Sequence, residues 1–275
     1  VNMSITGHLA IKEDRKKYNG ARRLPMSVVN TNISSLIGLN NMRLTNLGLK
    51  TSLERLSSGL RINKAADDPS GLAIAKGMEA QIGGIRMATQ NAEDGVNLIH
   101  TADGALSETQ DILLRMRDLA VRASNDATLT SSDLTRIDNE FTSLKQELER
   151  KSHAVAFNTK VLFSGLFSAG AGTNTGQVLQ VGPDNGANFR MTIRIPNLGL
   201  SGLGLSQAGG LVANVNTVMS AQISIDYVQS ALNMVSDLRA YLGVQERRIY
   251  HIIDDLAAED INISAAKSRI YDADM

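Results

Sequence analysis

Cysteine and tryptophan are absent from the 275-residue chain, proline occurs four times, and aromatic residues make up only 4%. Without cysteine there are no disulfides and no thiolate chemistry, so stability has to come from packing or from assembly. Wide globular cores usually include large rings, whereas thin helical bundles fill themselves with Leu, Ile, Val, Met and Ala. The hydrophobic fraction is still 43%, which permits a sizeable core and tilts the composition toward a bundle. A net charge is missing too: 28 Lys and Arg balance 28 Asp and Glu, leaving no overall field to draw in nucleic acid or an anionic membrane. No apolar run approaches the roughly 18 residues that read as a membrane span, so no membrane insertion is expected.

The first residues are basic through Lys12, Arg15, Lys16, Lys17, Arg22 and Arg23, and no apolar stretch follows them, which excludes a Sec-type signal peptide. Met26, after Pro25, reads as a natural start. Residues 1–25 therefore form a separate extension, disordered or artificially appended.

What is abundant is helical periodicity. From Met78, the positions Ile82, Ile85, Thr89, Ala92, Val96, Ile99, Asp103, Leu106, Gln110, Leu113, Arg117 and Ala120 alternate in steps of four and three. That is a heptad seam with polar interruptions, each beside an apolar neighbour such as Ala102 or Met116. Helical from Gly71 to Ser124, it would run about 80 Å and need partners of equal length. Upstream, Leu49, Leu53, Leu56 and Leu60, preceded by Ile33 and Leu36, keep the same rhythm. Downstream it returns in Tyr227, Ala231, Met234, Leu238 and Tyr241, then less regularly to Ile270. A shorter helix should follow Thr130, which with Asp133 fits a capping box and precedes Leu134, Ile137, Phe141, Leu144 and Leu148 on one face. Pro69 suits a first helical turn behind Asp68.

Between Phe157 and Asn216, Gly and Asn become frequent and the period shortens. Val178 to Val181 and the alternating Phe189 to Ile195 flank Pro183-Asp184-Asn185-Gly186, which reads as a β-hairpin. Glycine-rich loops, 165–176 and 199–210, flank the hairpin. The expected fold class is mainly α: an elongated, coiled-coil-like antiparallel bundle of long helices with a small β-hairpin insert.

Several ordered blocks carry a resemblance to a known family. They include Ser27 to Asn32, Leu53-Glu54-Arg55-Leu56-Ser57-Ser58-Gly59-Leu60-Arg61-Ile62-Asn63, and Ala66-Asp67-Asp68-Pro69-Ser70-Gly71. Further blocks are Gln90 to Gly95, Thr101 to Leu106, Phe157-Asn158 and Ser268 to Asp274. Together they resemble the bacterial flagellins from about Met26 onward. The resemblance implies a filament subunit with an N-terminal inner-tube helix over 26–66 and a helical rod from 67–156. It places the hairpin and loops at 157–215 and the returning rod helix at 216–275. Its implied partners are other copies of itself, a flagellar type III exporter with a secretion chaperone, and junction and cap proteins.

Flagellins continue beyond the Asp272-Ala273-Asp274 block with one more apolar helix that pairs with the N-terminal one. The resemblance therefore implies that this terminal helix is absent from the present sequence and that the 275-residue form folds without polymerising. Large outer domains are expected to be absent as well. The segment Leu113 to Val121 resembles the stretch bound by the vertebrate innate-immune flagellin receptor, which implies contacts at Arg115, Leu119 and Glu140. Leu114 replaces the usual Gln.

Catalysis finds no support in the sequence. His251 with Asp254 and Asp255 shares a helix face, but no second ligand pair and no His-Glu-x-x-His signature accompany it. Gly170, Gly172 and Gly176 lack the lysine and the strand-to-helix setting of a phosphate loop. No cofactor is expected. Two competing readings are a surface adhesin, with Arg190 and Arg194 on one hairpin face holding an acidic polysaccharide, and a hook–filament junction protein. The blocks at Thr101 to Leu106 and Ser268 to Asp274 favour flagellin over the latter.

Overall fold

The structure, a computed structural model, describes residues 30–125, 127, 129–165, 176–206 and 213–274. Residues 1–29, with the extension 1–25 and the Ser27-Val28-Val29 opening, residues 166–175 of the first glycine-rich loop and residues 207–210 of the second lie outside the described residues. The protein divides into two compact units, one containing residues up to Asn63 together with Ala273, the other Lys64–Asp272. The first holds helix α1 (Ile33–Ser58). The second contains α2 (Pro69–Ala123), α3 (Ser131–Ala154), β1 (Ala156–Phe157), β2 (Lys160–Val161), β3 (Gln177–Gln180), β4 (Arg190–Ile193) and α4 (Val218–Tyr271).

Local chemistry sets the ends of these helices. The Asp68 carboxylate accepts from the Gly71 amide at 2.9 Å while Pro69 occupies the first turn, where its missing N–H is not needed. Thr130 and Asp133 form the expected capping box on α3, and Thr217 with Ser220 forms another at the start of α4. Helix α1 begins at Asn32, whose side chain accepts from Ser35, and stops at Gly59 in the left-handed region.

Helices α2 and α4 contain 55 and 54 residues and form the spine of the second unit. Their cross-links run in opposite senses: Gln81 donates to Glu259 at 3.0 Å, His100 lies 2.8 Å from Glu246, and Arg239 Nε donates to Asp103 at 2.8 Å. Residue numbers rise along one helix as they fall along the other, so the pair is antiparallel. Ile82, Ile85, Val96, Ile99, Leu106 and Leu113 of α2 are buried, as are Val235, Leu238 and Leu242 of α4.

The buried stripe departs from a strict heptad. Arg117 is exposed while Met116 is buried, and Ala88, Ala102 and Thr109 replace the partly covered Thr89, Asp103 and Gln110. On α4, Val235 takes the place expected for Met234. A helix with 3.6 residues per turn drifts against a repeat of 3.5, so a straight helix buries a broader, sliding stripe. The polar interruptions have a partner: Arg239 donates to Asp103 through Nε and Nη2 and to Gln110 through Nη1 at 2.9 Å.

Helix α3 buries Ile137, Phe141 and Leu148 against this spine, with Leu134 and Leu144 half-buried. Beside that face lies a polar stripe that periodicity did not reveal. Lys145 is buried and donates to the Ala213 carbonyl at 2.7 Å, Asp138 accepts from the Val215 amide at 3.0 Å, and Glu149 accepts from the Leu200 amide at 2.9 Å. These side chains satisfy backbone groups of the connection leading into α4. Burial holds the Lys145 ammonium below its ordinary pKa.

Among the described residues, two hairpins stand where one was expected. Strands β3 and β4 pair antiparallel from Gln177↔Ile193 to Gln180↔Arg190. The additional pair, β1 with β2, turns through Asn158 and Thr159, both at positive φ (45° and 66°), as a two-residue hairpin loop requires.

The larger hairpin lies on α2 through glycine. A Cβ at Gly84 would stand 2.8 Å from the Pro183 Cβ, and one at Gly95 would stand 2.4 Å from a Leu179 methyl. Gly83, by contrast, faces open space. Of the adjacent pair that weakens helix propensity, only Gly84 is therefore required by packing.

Candidate interaction surfaces

Helix α1 has 26 residues and buries none of them. Leu36, Leu53 and Leu56, which their spacing places on one apolar seam, are 54%, 55% and 64% exposed, and Leu60 is only half-buried. Spacing places side chains on a face, but burial also needs a surface opposite. Its apolar residues also occupy two faces. Ile33, Leu36, Ile37, Leu44 and Leu47 cluster on one side, and Leu39, Met42, Leu49, Leu53 and Leu56 on the roughly opposite side, at 3.6 residues per turn. A helix that is apolar on both sides suits burial among several neighbours better than docking on one.

A second surface lies across α2 and α3. Arg115 donates to Glu140 Oε1 through Nε at 2.9 Å and Nη2 at 2.6 Å, and both side chains are about half exposed. The two residues reach one patch because α3 folds back along α2. Leu119, grouped with them by resemblance, is 2% exposed and belongs to the core. It lies one turn along α2 on the inward side, beneath the patch. The exposed apolar residues of this region are Leu114 and Val121, seven apart and so aligned on one face.

On the β3–β4 hairpin, Arg190 donates to Asn185 Oδ1 at 2.6 Å and to Gln180 Oε1 at 3.4 Å, so its guanidinium serves the turn. Arg194 is exposed and also engaged within the protein. His251, Asp254 and Asp255 are exposed on α4, and among the described residues no group of three His, Asp or Glu is arranged to hold a metal. A cleft of about 190 Å³ between α2 and the hairpins is lined mainly by Leu98, Phe157, Val178, Leu179 and Ile193. Asp94, Asn158, Lys160 and Gln177 supply the polar part of its lining. No helix among the described residues is long and apolar enough to cross a membrane.

Comparison with known proteins agrees with this architecture. Residues 29–168 match the bacterial flagellin N-terminal helical region, and residues 225–275 match the C-terminal helical region. A flagellin from Bacillus subtilis is 38% identical over 268 residues, spanning 90% of this chain and 88% of its own length. A flagellin from Halalkalibacterium halodurans is 39% identical over 249 residues, spanning 90% and 86%. Among solved structures, a putative flagellar hook-associated protein from Vibrio parahaemolyticus aligns over 75% of this chain and all of its own (100%), with a TM-score of 0.59. Its 15% identity makes that a likeness of fold alone.

Proposed function

The protein belongs to the bacterial flagellins, and we propose that it enters the filament through α1, with both apolar faces of that helix covered by neighbouring subunits. It is a structural subunit of the extracellular flagellar filament, a homopolymer, and not an enzyme. The observation that carries the proposal is the contrast inside one molecule: a 26-residue helix with Leu36, Leu53 and Leu56 all more than half exposed beside a spine whose equivalent residues are buried. Contiguous exposed apolar surface of that kind marks an interaction site. We assign residues 26–66 to the inner tube, 67–156 and 216–275 to the surrounding rod, and 157–215 to its side.

The cysteine-free background permits a direct test. Leu44→Cys and Leu53→Cys, on opposite faces, should react with a thiol reagent in the free subunit and become protected in subunits that are part of a filament. Unchanged labelling of either residue in the filament would remove the two-faced assignment.

Passage to the cell exterior through a type III exporter, escorted by a chaperone, and contact with junction and cap proteins follow from family membership as further parts of the proposal. The patch at Arg115 and Glu140 is assigned to the innate-immune flagellin receptor. An exposed Arg with a preset partner is a suitable interface anchor. Arg115→Ala should weaken signalling in receptor-bearing cells; an unaltered response would withdraw the assignment. The adhesin reading gains nothing from the structure, since Arg190 and Arg194 are both engaged within the protein.

A further inference from the structure

We propose that Asn185 is a self-modifying residue: its carboxamide carbon is attacked by the Gly186 amide nitrogen, loses ammonia and becomes part of an aspartate or isoaspartate, with Arg190 assisting.

Three features of the hairpin turn converge on this. First, Asn185 is exposed, and the residue after it has no side chain to shield its amide nitrogen. Gly186 is extended, at φ −163° and ψ 160°, and among the described residues no hydrogen bond ties its N–H down. Second, Arg190 Nη2 donates to Asn185 Oδ1 at 2.6 Å. That oxygen gains negative charge when a nucleophile adds to the amide carbon, and a cationic donor already aimed at it favours the addition. Third, the Asp-Gly steps that offer related chemistry, Asp94–Gly95 and Asp103–Gly104, lie inside α2. There each glycine N–H belongs to the helical ladder and the backbone is held away from ring closure. The hairpin turn has no such restraint.

In the step itself, the Gly186 nitrogen attacks Asn185 Cγ and a Cγ–N bond forms. The Cγ–Nδ2 bond breaks, and Nδ2 leaves as ammonia with the proton that Gly186 gave up. Water then adds to a carbonyl of the cyclic imide. Opening at the Cγ–N bond leaves aspartate in a normal backbone. Opening at the original peptide bond between residues 185 and 186 leaves isoaspartate, with one more methylene in the backbone. Nothing is oxidised or reduced, and water is the sole co-reactant. An aspartate at this position would face Arg190 as a charge-assisted pair in place of a neutral acceptor. An isoaspartate would lengthen the turn and displace its carboxylate from the guanidinium.

The test follows ammonia release and the mass of the peptide containing residue 185, for the folded protein at mildly alkaline pH and again in urea. Wild type should convert in the folded state, and Gly186→Ala should nearly abolish conversion. That variant keeps an allowed φ, and its new Cβ meets only the Phe189 ring edge at 3.3 Å. Arg190→Ala should slow folded conversion about tenfold, less than the ~10²-fold of a buried oxyanion donor because this one is solvated. It should change nothing in urea, where the contact is gone. An Asn185 that persists in the folded protein but converts in urea would overturn the proposal. So would an Arg190→Ala variant that converts as fast as wild type or faster.

Discussion

Helix α1 and the α2–α4 pair use similar residues at similar spacings, and their fates differ. Leu106 and Leu113 are fully covered, whereas Leu53 is 55% exposed. The difference is not in the helices, since both are capped and α1 runs unbroken for 26 residues. It lies in what stands opposite. Helix α2 has within its own unit an antiparallel partner of nearly equal length, so its apolar stripe contributes to folding. The apolar faces of α1 are exposed, and we propose that neighbouring subunits cover them.

The largest effect expected from this contrast comes from one charge placed at equivalent points. Leu106→Asp should destabilise the free subunit by about 4 kcal/mol, because a buried charge without a partner is among the costliest of substitutions. Leu53→Asp should alter it by no more than about 0.5 kcal/mol, as for other exposed positions, yet prevent incorporation into filaments. Urea unfolding and seeded sedimentation measure the two. Equal destabilisation by both would erase the distinction between helices.

The two adjacent glycines of α2 sharpen it at finer scale. Gly84→Ala forces a Cβ to within 2.8 Å of Pro183 and should cost about 1–3 kcal/mol, as overpacking does. Gly83→Ala, facing open space, should raise stability by about 1 kcal/mol through helix propensity alone. Thermal unfolding should therefore shift in opposite directions for neighbours in sequence.

Arg239→Ala tests the polar break in the seam. It strips Asp103 and Gln110 of a shared partner, and its effect should be about 1 kcal/mol, since the ion pair is partly solvated. Asp103→Ala with Arg239→Ala should cost little more than either change alone, as a double-mutant cycle on urea midpoints would read.

The smallest effect concerns acid. Hydrogen bonds from Thr130, side chain first, hold the Asp133 carboxyl below its ordinary pKa. A carboxylate depressed in the folded state stabilises above its unfolded pKa, and the contribution fades as pH falls through the folded value. Amide protection factors at the start of α3, taken relative to the intrinsic exchange rate at each pH, should fall on acidification, and Asp133→Asn should flatten that dependence.

Much of this was legible in the residues. Thr130 with Asp133, Asp68 with Pro69, and the alternation on both sides of Pro183 to Gly186 each specify a local conformation through short-range hydrogen bonding or steric restriction, which needs no knowledge of the rest of the molecule. The β1–β2 hairpin escaped notice because its strands are two residues each and its turn uses Asn158-Thr159 instead of a glycine. The surface at Arg115 and Glu140 was reachable only through resemblance, since no spacing rule joins residues on different helices.

By itself, then, the sequence determined the element types, most helix ends, the apolar faces and the family, all of which follow from period, capping and local order. Only the tertiary structure decided which faces are covered: Leu119 inside and Leu53 outside, Met116 in place of Arg117, Gly84 required and Gly83 not. It also decided that Arg239, Lys145 and Glu149 would satisfy distant polar groups. Periodicity specifies a direction around one helix axis, whereas burial and hydrogen-bond satisfaction depend on which surface the fold brings to that side.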